Sequence, residues 1–103
     1  MGKGRMEDLL SMAQRAGKVA SGDFAVQKAL SAGLSKLLLV ATDVSVETKE
    51  KYGRLAAQHG VKLVECLTKD ALGHCLGKEY RAVAALLDRG FSEALEKRME
   101  GEG

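Results

Sequence analysis

The sequence contains no proline and no tryptophan, and aromatic residues make up only 4% of its 103 residues. Without proline, no rigid linker divides the chain. Its two cysteines can close at most one disulfide, which excludes a small disulfide-framework protein. Apolar runs such as Leu37 to Ala41 are far shorter than the roughly 20 residues that cross a bilayer. These absences predict a single globular domain over residues 1–103 with no membrane contact.

Charge of either sign is not in large excess, since 16 Lys and Arg stand against 14 Asp and Glu, for a net charge of +2. So small an excess of positive charge excludes a protein that coats nucleic acid as histones do. Any polyanionic partner must therefore bind a local patch of positive charge. Residues 1–36 are the basic part of the chain. Because charged residues are frequent from Met1 to Asp8, no signal peptide is expected. We therefore expect a cytoplasmic protein in which Cys66 and Cys75 are reduced thiols.

Apolar spacing predicts five helices and four strands in alternation. The strand at 36–42 is continuously apolar from Leu37 to Ala41 and not alternating, so both of its faces must be covered. This pattern is typical of an α/β protein, and we predict a three-layer α-β-α sandwich with disordered ends at 1–5 and 100–103. Helices are expected at 7–16, 23–32, 45 or 46–59, 69–76 and 91–99, and strands at 18–21, 36–42, 61–67 and 82–87.

Motifs for catalysis or cofactors are scarce. The glycines of the segment from Gly73 to Lys78 are four apart where a phosphate loop needs five, and Glu79 stands where Ser or Thr is required. No serine lies in a nucleophile elbow, and no Cys or His pair has the spacing of zinc ligands. We therefore expect no catalytic residue, metal or cofactor, and we expect Cys66 and Cys75 to be core thiols.

The predicted second helix places an aromatic residue on its polar face. When the residues are placed 100° apart around the helix axis, the apolar residues lie together on one side. Phe24 lies on the opposite side, flanked by Gln27 and Lys28. A nucleic-acid surface would combine the amide groups of the helix start after Gly22, the charge of Lys28 and the stacking ring of Phe24. The alternative is that Phe24 folds down on a neighbouring loop. Periodicity alone leaves both open.

A second candidate is the loop from Gly77 to Arg81, which brings two cations and a tyrosine together before a buried strand. Loops on a rigid scaffold often hold binding residues, and planar Arg and Tyr side chains stack on unpaired bases. An ordinary solvated turn is the alternative.

Four segments of the chain, 15–22, 28–30, 38–43 and 72–78, form a recognisable series. Their order resembles the kink-turn-binding ribosomal protein superfamily of the archaeal L-seven-Ae type, and within it the bacterial YlxQ-type branch. The resemblance covers nearly the whole chain. It implies an α-β-α sandwich around a four-stranded mixed sheet, and a protein that binds structured RNA.

The family's RNA-contacting helix begins with Gly, any residue, Asn, Glu, any two residues and Lys. Gly22 and Lys28 match this pattern, whereas Phe24 and Ala25 stand at the Asn and Glu positions. The groups that hydrogen-bond to sheared guanines in the family are therefore missing. The family's other contact, a loop against an extruded nucleotide, corresponds to residues 78–81.

The sequence thus leads to the hypothesis of a monomeric, non-catalytic protein that binds structured, kink-turn-like RNA of the ribosome or another ribonucleoprotein. One alternative is a protein-protein interaction module with Phe24 as its anchor, and another is a small-molecule enzyme using His74 or Cys75. The expected RNA-binding residues are Lys18, Gly22, Phe24, Gln27, Lys28, Lys36, Lys78, Glu79, Tyr80 and Arg81.

Overall fold

The computed structural model describes residues 2–102, with side chains described for residues 6–99. Helices and strands alternate as the apolar spacing predicts. The helices are α1 (Gly2–Arg15), α2 (Asp23–Ser31), α3 (Val46–His59), α4 (Lys69–Cys75) and α5 (Arg89–Glu102). The strands are β1 (Val19–Ser21), β2 (Leu37–Val40), β3 (Leu63–Glu65) and β4 (Val83–Leu86).

The four strands form one sheet in the order β1-β4-β2-β3. Strand β4 is antiparallel to both β1 and β2, whereas β2 and β3 are parallel. The sheet is therefore mixed. The two central strands, β2 and β4, are buried at every position, which explains why their sequences are continuously apolar.

Each face of the sheet is covered by helices. Leu37 and Leu39 of β2 pack into one cluster with side chains of α1, α4 and α5, and Leu38 packs into a second cluster with side chains of α2 and α3. Neighbouring side chains of a strand point to opposite faces, so one strand serves both clusters. The predicted α/β fold, a three-layer α-β-α sandwich around a four-stranded mixed sheet, is confirmed.

The element boundaries differ from the predicted ones. The strands are shorter, because apolar residues continue beyond the last paired position of each ladder. Helices α1 and α5 extend in the structure into 1–5 and 100–103, where the sequence predicts disorder. Met1, Gly103 and the side chains of both segments lie outside the described residues, and disorder there stays a prediction. None of the helices in residues 2–102 is long and apolar enough to cross a membrane.

Candidate nucleic-acid interface

Helix α2 presents Phe24 to solvent. The ring is 81% exposed, whereas Val26, Ala29 and Leu30 of the same helix are buried. Lys28, one turn further along and on the same side as Phe24, is also exposed. The prediction that Phe24 points away from the core is confirmed.

Gly22 makes the sharp entry from β1 into α2. Its φ of 91° and ψ of 159° lie where residues with a side chain are strained, and no side chain caps the helix there. Its amide donates a hydrogen bond to the carbonyl oxygen of Val83 over 3.0 Å, which holds the turn against β4. The amide groups of the first turn of α2 therefore form a positive end that suits a phosphate.

A loop of residues 77–82, the 77–82 loop, lies beside this helix start. Lys78, Glu79 and Tyr80 are exposed, with Tyr80 at 58%. The half-buried Arg81 donates from Nε to the hydroxyl of Ser21 over 3.2 Å and from Nη1 to the carbonyl of Tyr80 over 3.1 Å. Arg81 thus connects the loop to the end of β1.

Gly73 of α4 fixes the position of the same loop. A Cβ atom at this position would lie 2.3 Å from the Cα of Tyr80, so only glycine permits the contact. The carbonyl of Gly73 also accepts hydrogen bonds from the amides of Leu76 at 3.0 Å and Lys78 at 2.8 Å. Sequence reasoning missed this role, although a glycine within a helical pattern signals close packing.

Two shallow cavities adjoin at the helix start, since Gly22 lines one and Asp23 lines the other. One, of about 400 Å³, is lined by Gly22 and residues 78–82. The other, of about 310 Å³, is lined by Asp23, Phe24, Gln27, Lys28 and Ser31. The structure therefore brings together eight of the ten predicted site residues. We call this set the α2–loop surface: Gly22, Phe24, Gln27, Lys28, Lys78, Glu79, Tyr80 and Arg81.

The carboxylate of Asp23, in the first turn of α2, is directed to neighbouring side chains. It accepts hydrogen bonds from the hydroxyl of Tyr52, from Nζ of Lys51 at 3.0 Å and from Nε2 of Gln27 at 3.0 Å. The Tyr52 hydrogen bond, followed by Lys51, lowers the pKa of Asp23, and burial followed by Asp23 raises the pKa of Tyr52. This negative charge is balanced by Lys51 and so opposes a phosphate only weakly.

The same network changes the expected role of Gln27. Its side-chain amide donates to Asp23, four residues before it, and is only half exposed. Gln27 therefore supports the helix start, and an RNA contact through that amide would have to replace the existing bond. Sequence reasoning missed Asp23, Lys51 and Tyr52, because Asp23 and Tyr52 are 29 residues apart.

Lys18 and Lys36 lie at the other end of the sheet from the 77–82 loop. The carbonyl of Lys18 accepts from the amide of Leu87 at 2.8 Å, and the amide of Lys36 donates to Leu86 at 2.7 Å. Strands β1 and β2 run in the same direction and begin directly after these lysines, whereas the α2–loop surface lies where β1 ends. Both lysines are exposed, but neither belongs to the α2–loop surface.

The cysteines are core residues, as predicted. Cys66 is 3% exposed, Cys75 is 6% exposed, and both are free thiols. Burial raises the pKa of Cys66 to about 12 and that of Cys75 to about 11. Because the thiolate is the reactive form, both thiols should be inert at neutral pH.

We expect Cys66→Ala to lower the free energy of unfolding by about 1–3 kcal/mol, since it removes a buried side chain from a packed cluster. In the unmodified protein, iodoacetamide should label neither cysteine until denaturant is added. Chemical denaturation and mass spectrometry test the two statements. Rapid labelling of the native protein would contradict the buried placement.

Comparisons with known proteins agree with this architecture. The model of the "Ribosomal protein L7Ae/L30e/S12e/Gadd45 family" matches residues 4–96. The RNA-binding protein YlxQ of Bacillus subtilis is 36% identical over 87 residues, which are 84% of this chain and 87% of that protein. The large ribosomal subunit protein eL8 of Haloquadratum walsbyi is 34% identical over 89 residues, which are 84% of this chain and 74% of that protein.

Solved structures show the same fold. A protein of unknown function from Bacillus halodurans superimposes with a TM-score of 0.87 at 27% identity, over 92% of this chain and 96% of that one. The 15.5kD RNA binding protein of Giardia lamblia does so with a TM-score of 0.76 at 17% identity, over 92% and 82%. The family match over most of the sequence, together with the YlxQ and eL8 relatives, shows that the chain belongs to the ribosomal protein L7Ae/L30e/S12e/Gadd45 family.

Proposed function

We propose that this protein binds structured RNA without catalysing a reaction and that the α2–loop surface is its RNA interface. One observation carries the proposal: an uncapped helix start and a cationic loop, far apart in sequence, lie side by side on an exposed surface. The relative from Bacillus subtilis is named an RNA-binding protein, and the archaeal relatives are ribosomal, which supports the same ligand.

The charges of the surface suit a phosphate backbone. Lys28, Lys78 and Arg81 contribute positive charge next to the positive end of α2. Glu79 is the negative charge of the loop, and the charge of Asp23 is balanced by Lys51 at 3.0 Å. Phosphate contacts orient a bound RNA, whereas base contacts recognise its sequence. A surface of positive groups therefore favours recognition of RNA by its shape.

The proposed ligand is a kink-turn-like element of ribosomal or other ribonucleoprotein RNA, bound by a monomer in the cytoplasm. The resemblance to YlxQ and eL8 supports this choice.

We expect Lys28→Ala to weaken binding to all structured RNAs alike and to reduce the slope of log affinity against log salt by about one unit, since one phosphate contact is lost. Lys97→Ala is the matched control, because Lys97 is an exposed lysine of α5 outside the α2–loop surface. Filter binding over a series of salt concentrations measures both. A wild-type slope near zero with binding intact would contradict the phosphate-contact model.

A protein-protein interaction module is the second candidate, favoured by the 81% exposure of Phe24. A large exposed aromatic side chain is a frequent anchor in protein interfaces. Under this alternative, Phe24→Ala abolishes capture of a partner protein from a cell extract, and nuclease treatment of the extract changes nothing. Under the RNA proposal, nuclease treatment removes the captured material.

A further inference from the structure

A cavity of about 440 Å³ lies on the face of the sheet that α1, α4 and α5 cover. Helix α1 lines this cavity with Met6 and Glu7, and α5 lines it with Met99. The rest of the lining comes from α4, from the end of β3 and from the segments that follow β2 and β3. None of the lining residues belongs to the α2–loop surface, so the cavity is a separate feature of the protein.

The cavity is placed at the carboxyl ends of two parallel strands. Strands β2 and β3 are parallel neighbours, and the lining residue Thr42 follows β2, whereas Cys66 and Leu67 follow β3. In open α/β sheets, ligands commonly bind outside the carboxyl ends of the strands. Sites for small molecules have volumes of about 300–1,000 Å³. Both the position and the size of the cavity therefore suit a small organic ligand.

One residue of the lining, Leu67, has a strained backbone. Its φ of 65° is positive, and within the part of the chain that the structure describes every other positive φ belongs to a glycine. The amide and the hydroxyl of Thr42 donate to the carbonyl oxygen of Leu67 over 2.8 and 3.2 Å, which holds this conformation. Strained residues are frequent at ligand sites. The conformation of Leu67 is thus a second observation that favours a binding site here.

The lining combines apolar side chains with negative charge. Met6 and Met99 supply apolar surface, and their flexible thioether side chains adapt to the shape of a ligand. The carboxylate of Glu65 is paired with Lys49 at 3.3 Å, whereas no ion pair joins Glu7 to a residue whose side chain is described. Among the described side chains, no lysine or arginine lines the cavity. This charge favours a cationic ligand and repels nucleotides and other anions.

We propose that the cavity binds a small organic cation, an amine with an apolar body. The ammonium group pairs with the carboxylate of Glu7, and the apolar body packs on Met6 and Met99. Glu7 is half-buried, so this ion pair is stronger than one on an open surface. The proposal goes beyond the proposed function, because RNA is a polyanion and its interface is a different surface.

The test uses protein with isotope-labelled methionine methyl groups, titrated with amines and followed by nuclear magnetic resonance. The probes are phenethylamine and tryptamine, which are cations at neutral pH. Each should shift the methyl signals of Met6 and Met99 in a saturable manner. The signal of Met12 should not move, because Met12 is an exposed residue of α1 outside the cavity. Phenethyl alcohol, which is neutral, and hydrocinnamate, which is an anion, should bind at least tenfold more weakly than phenethylamine.

Glu7→Gln keeps the size of the side chain and removes its charge. It should weaken phenethylamine binding about tenfold and leave the binding of phenethyl alcohol unchanged. Asp8→Asn is the matched control, because Asp8 is the next residue of α1, is exposed and does not line the cavity. It should leave the binding of both compounds unchanged, and circular dichroism confirms that both variants are folded.

Three results would overturn the proposal. The first is that neither amine shifts the signals of Met6 and Met99, and the second is that hydrocinnamate binds as well as phenethylamine. The third is that Glu7→Gln weakens phenethylamine binding no more than Asp8→Asn does. RNA affinity should be the same in Glu7→Gln and in the unmodified protein, since Glu7 lies outside the α2–loop surface. A failure of RNA binding would therefore contradict the proposed function and leave the amine site standing.

Discussion

Gly73→Ala should lower the free energy of unfolding by about 3 kcal/mol and displace the 77–82 loop, because the added methyl group meets backbone that cannot rotate away. The new Cβ atom would lie 2.3 Å from Cα and 2.7 Å from both N and C of Tyr80. Alanine gains at most about 1 kcal/mol over glycine in a helix, so the clash dominates. RNA affinity should fall together with stability, since Tyr80 and Arg81 move with the loop.

Gly53→Ala is the matched control for this substitution. Gly53 is also a glycine of a helix, α3, but a Cβ atom added there has nothing within 4 Å. It should raise the free energy of unfolding by up to about 1 kcal/mol through helix propensity alone. Chemical denaturation compares the two variants. If Gly73→Ala were as stable as Gly53→Ala, the close contact between α4 and the loop would be contradicted.

Phe24→Asn combined with Ala25→Glu should change which RNA is preferred. The two substitutions place hydrogen-bonding side chains where the first turn of α2 now carries a ring and a methyl group. Each regained set of base-edge hydrogen bonds is worth about 1–3 kcal/mol, so binding to a standard kink-turn should strengthen at least tenfold. Binding to an RNA that stacks on Phe24 should weaken in the same variant.

Phe24→Ala with Ala25 unchanged is the control, because it removes the ring and adds no acceptor. It should lose the stacked RNA and gain no affinity for the kink-turn. Isothermal titration calorimetry with both RNAs separates these effects. A wild-type affinity for the standard kink-turn that already equals that of the double variant would contradict our interpretation of positions 24 and 25.

The parts of the fold that depend on local pattern could be predicted from the sequence. Continuously apolar strands gave the buried centre of the sheet, and helical spacing placed Phe24 on the exposed side of α2. Strand ends were less predictable, since apolar residues such as Ala41 continue past the last paired position and remain buried. A strand ends where its pairing with the neighbouring strand stops, and the sequence of one segment does not encode that position.

The parts of the site that depend on packing between distant segments could not be predicted. The contact of Gly73 with Tyr80 depends on how the 77–82 loop turns back on α4, and the bonds of Asp23 to Lys51 and Tyr52 depend on how α2 packs on α3. Charge alone grouped Lys18 with the other lysines. In the structure, Lys18 lies before β1 and the start of α2 lies after it, so the two are at opposite ends of this strand.

Ultraviolet crosslinking of the wild-type protein in cells, followed by sequencing of the bound RNA and mass spectrometry of the crosslinked peptides, shows whether the α2–loop surface binds RNA. We expect crosslinks to structured RNA from peptides that contain Phe24 and Tyr80, since exposed aromatic rings can stack on unpaired bases. Lys28→Ala should lower the yield of crosslinked RNA, and Lys97→Ala should not. No RNA above background, or crosslinks confined to α5, would contradict the assignment of the α2–loop surface as an RNA interface.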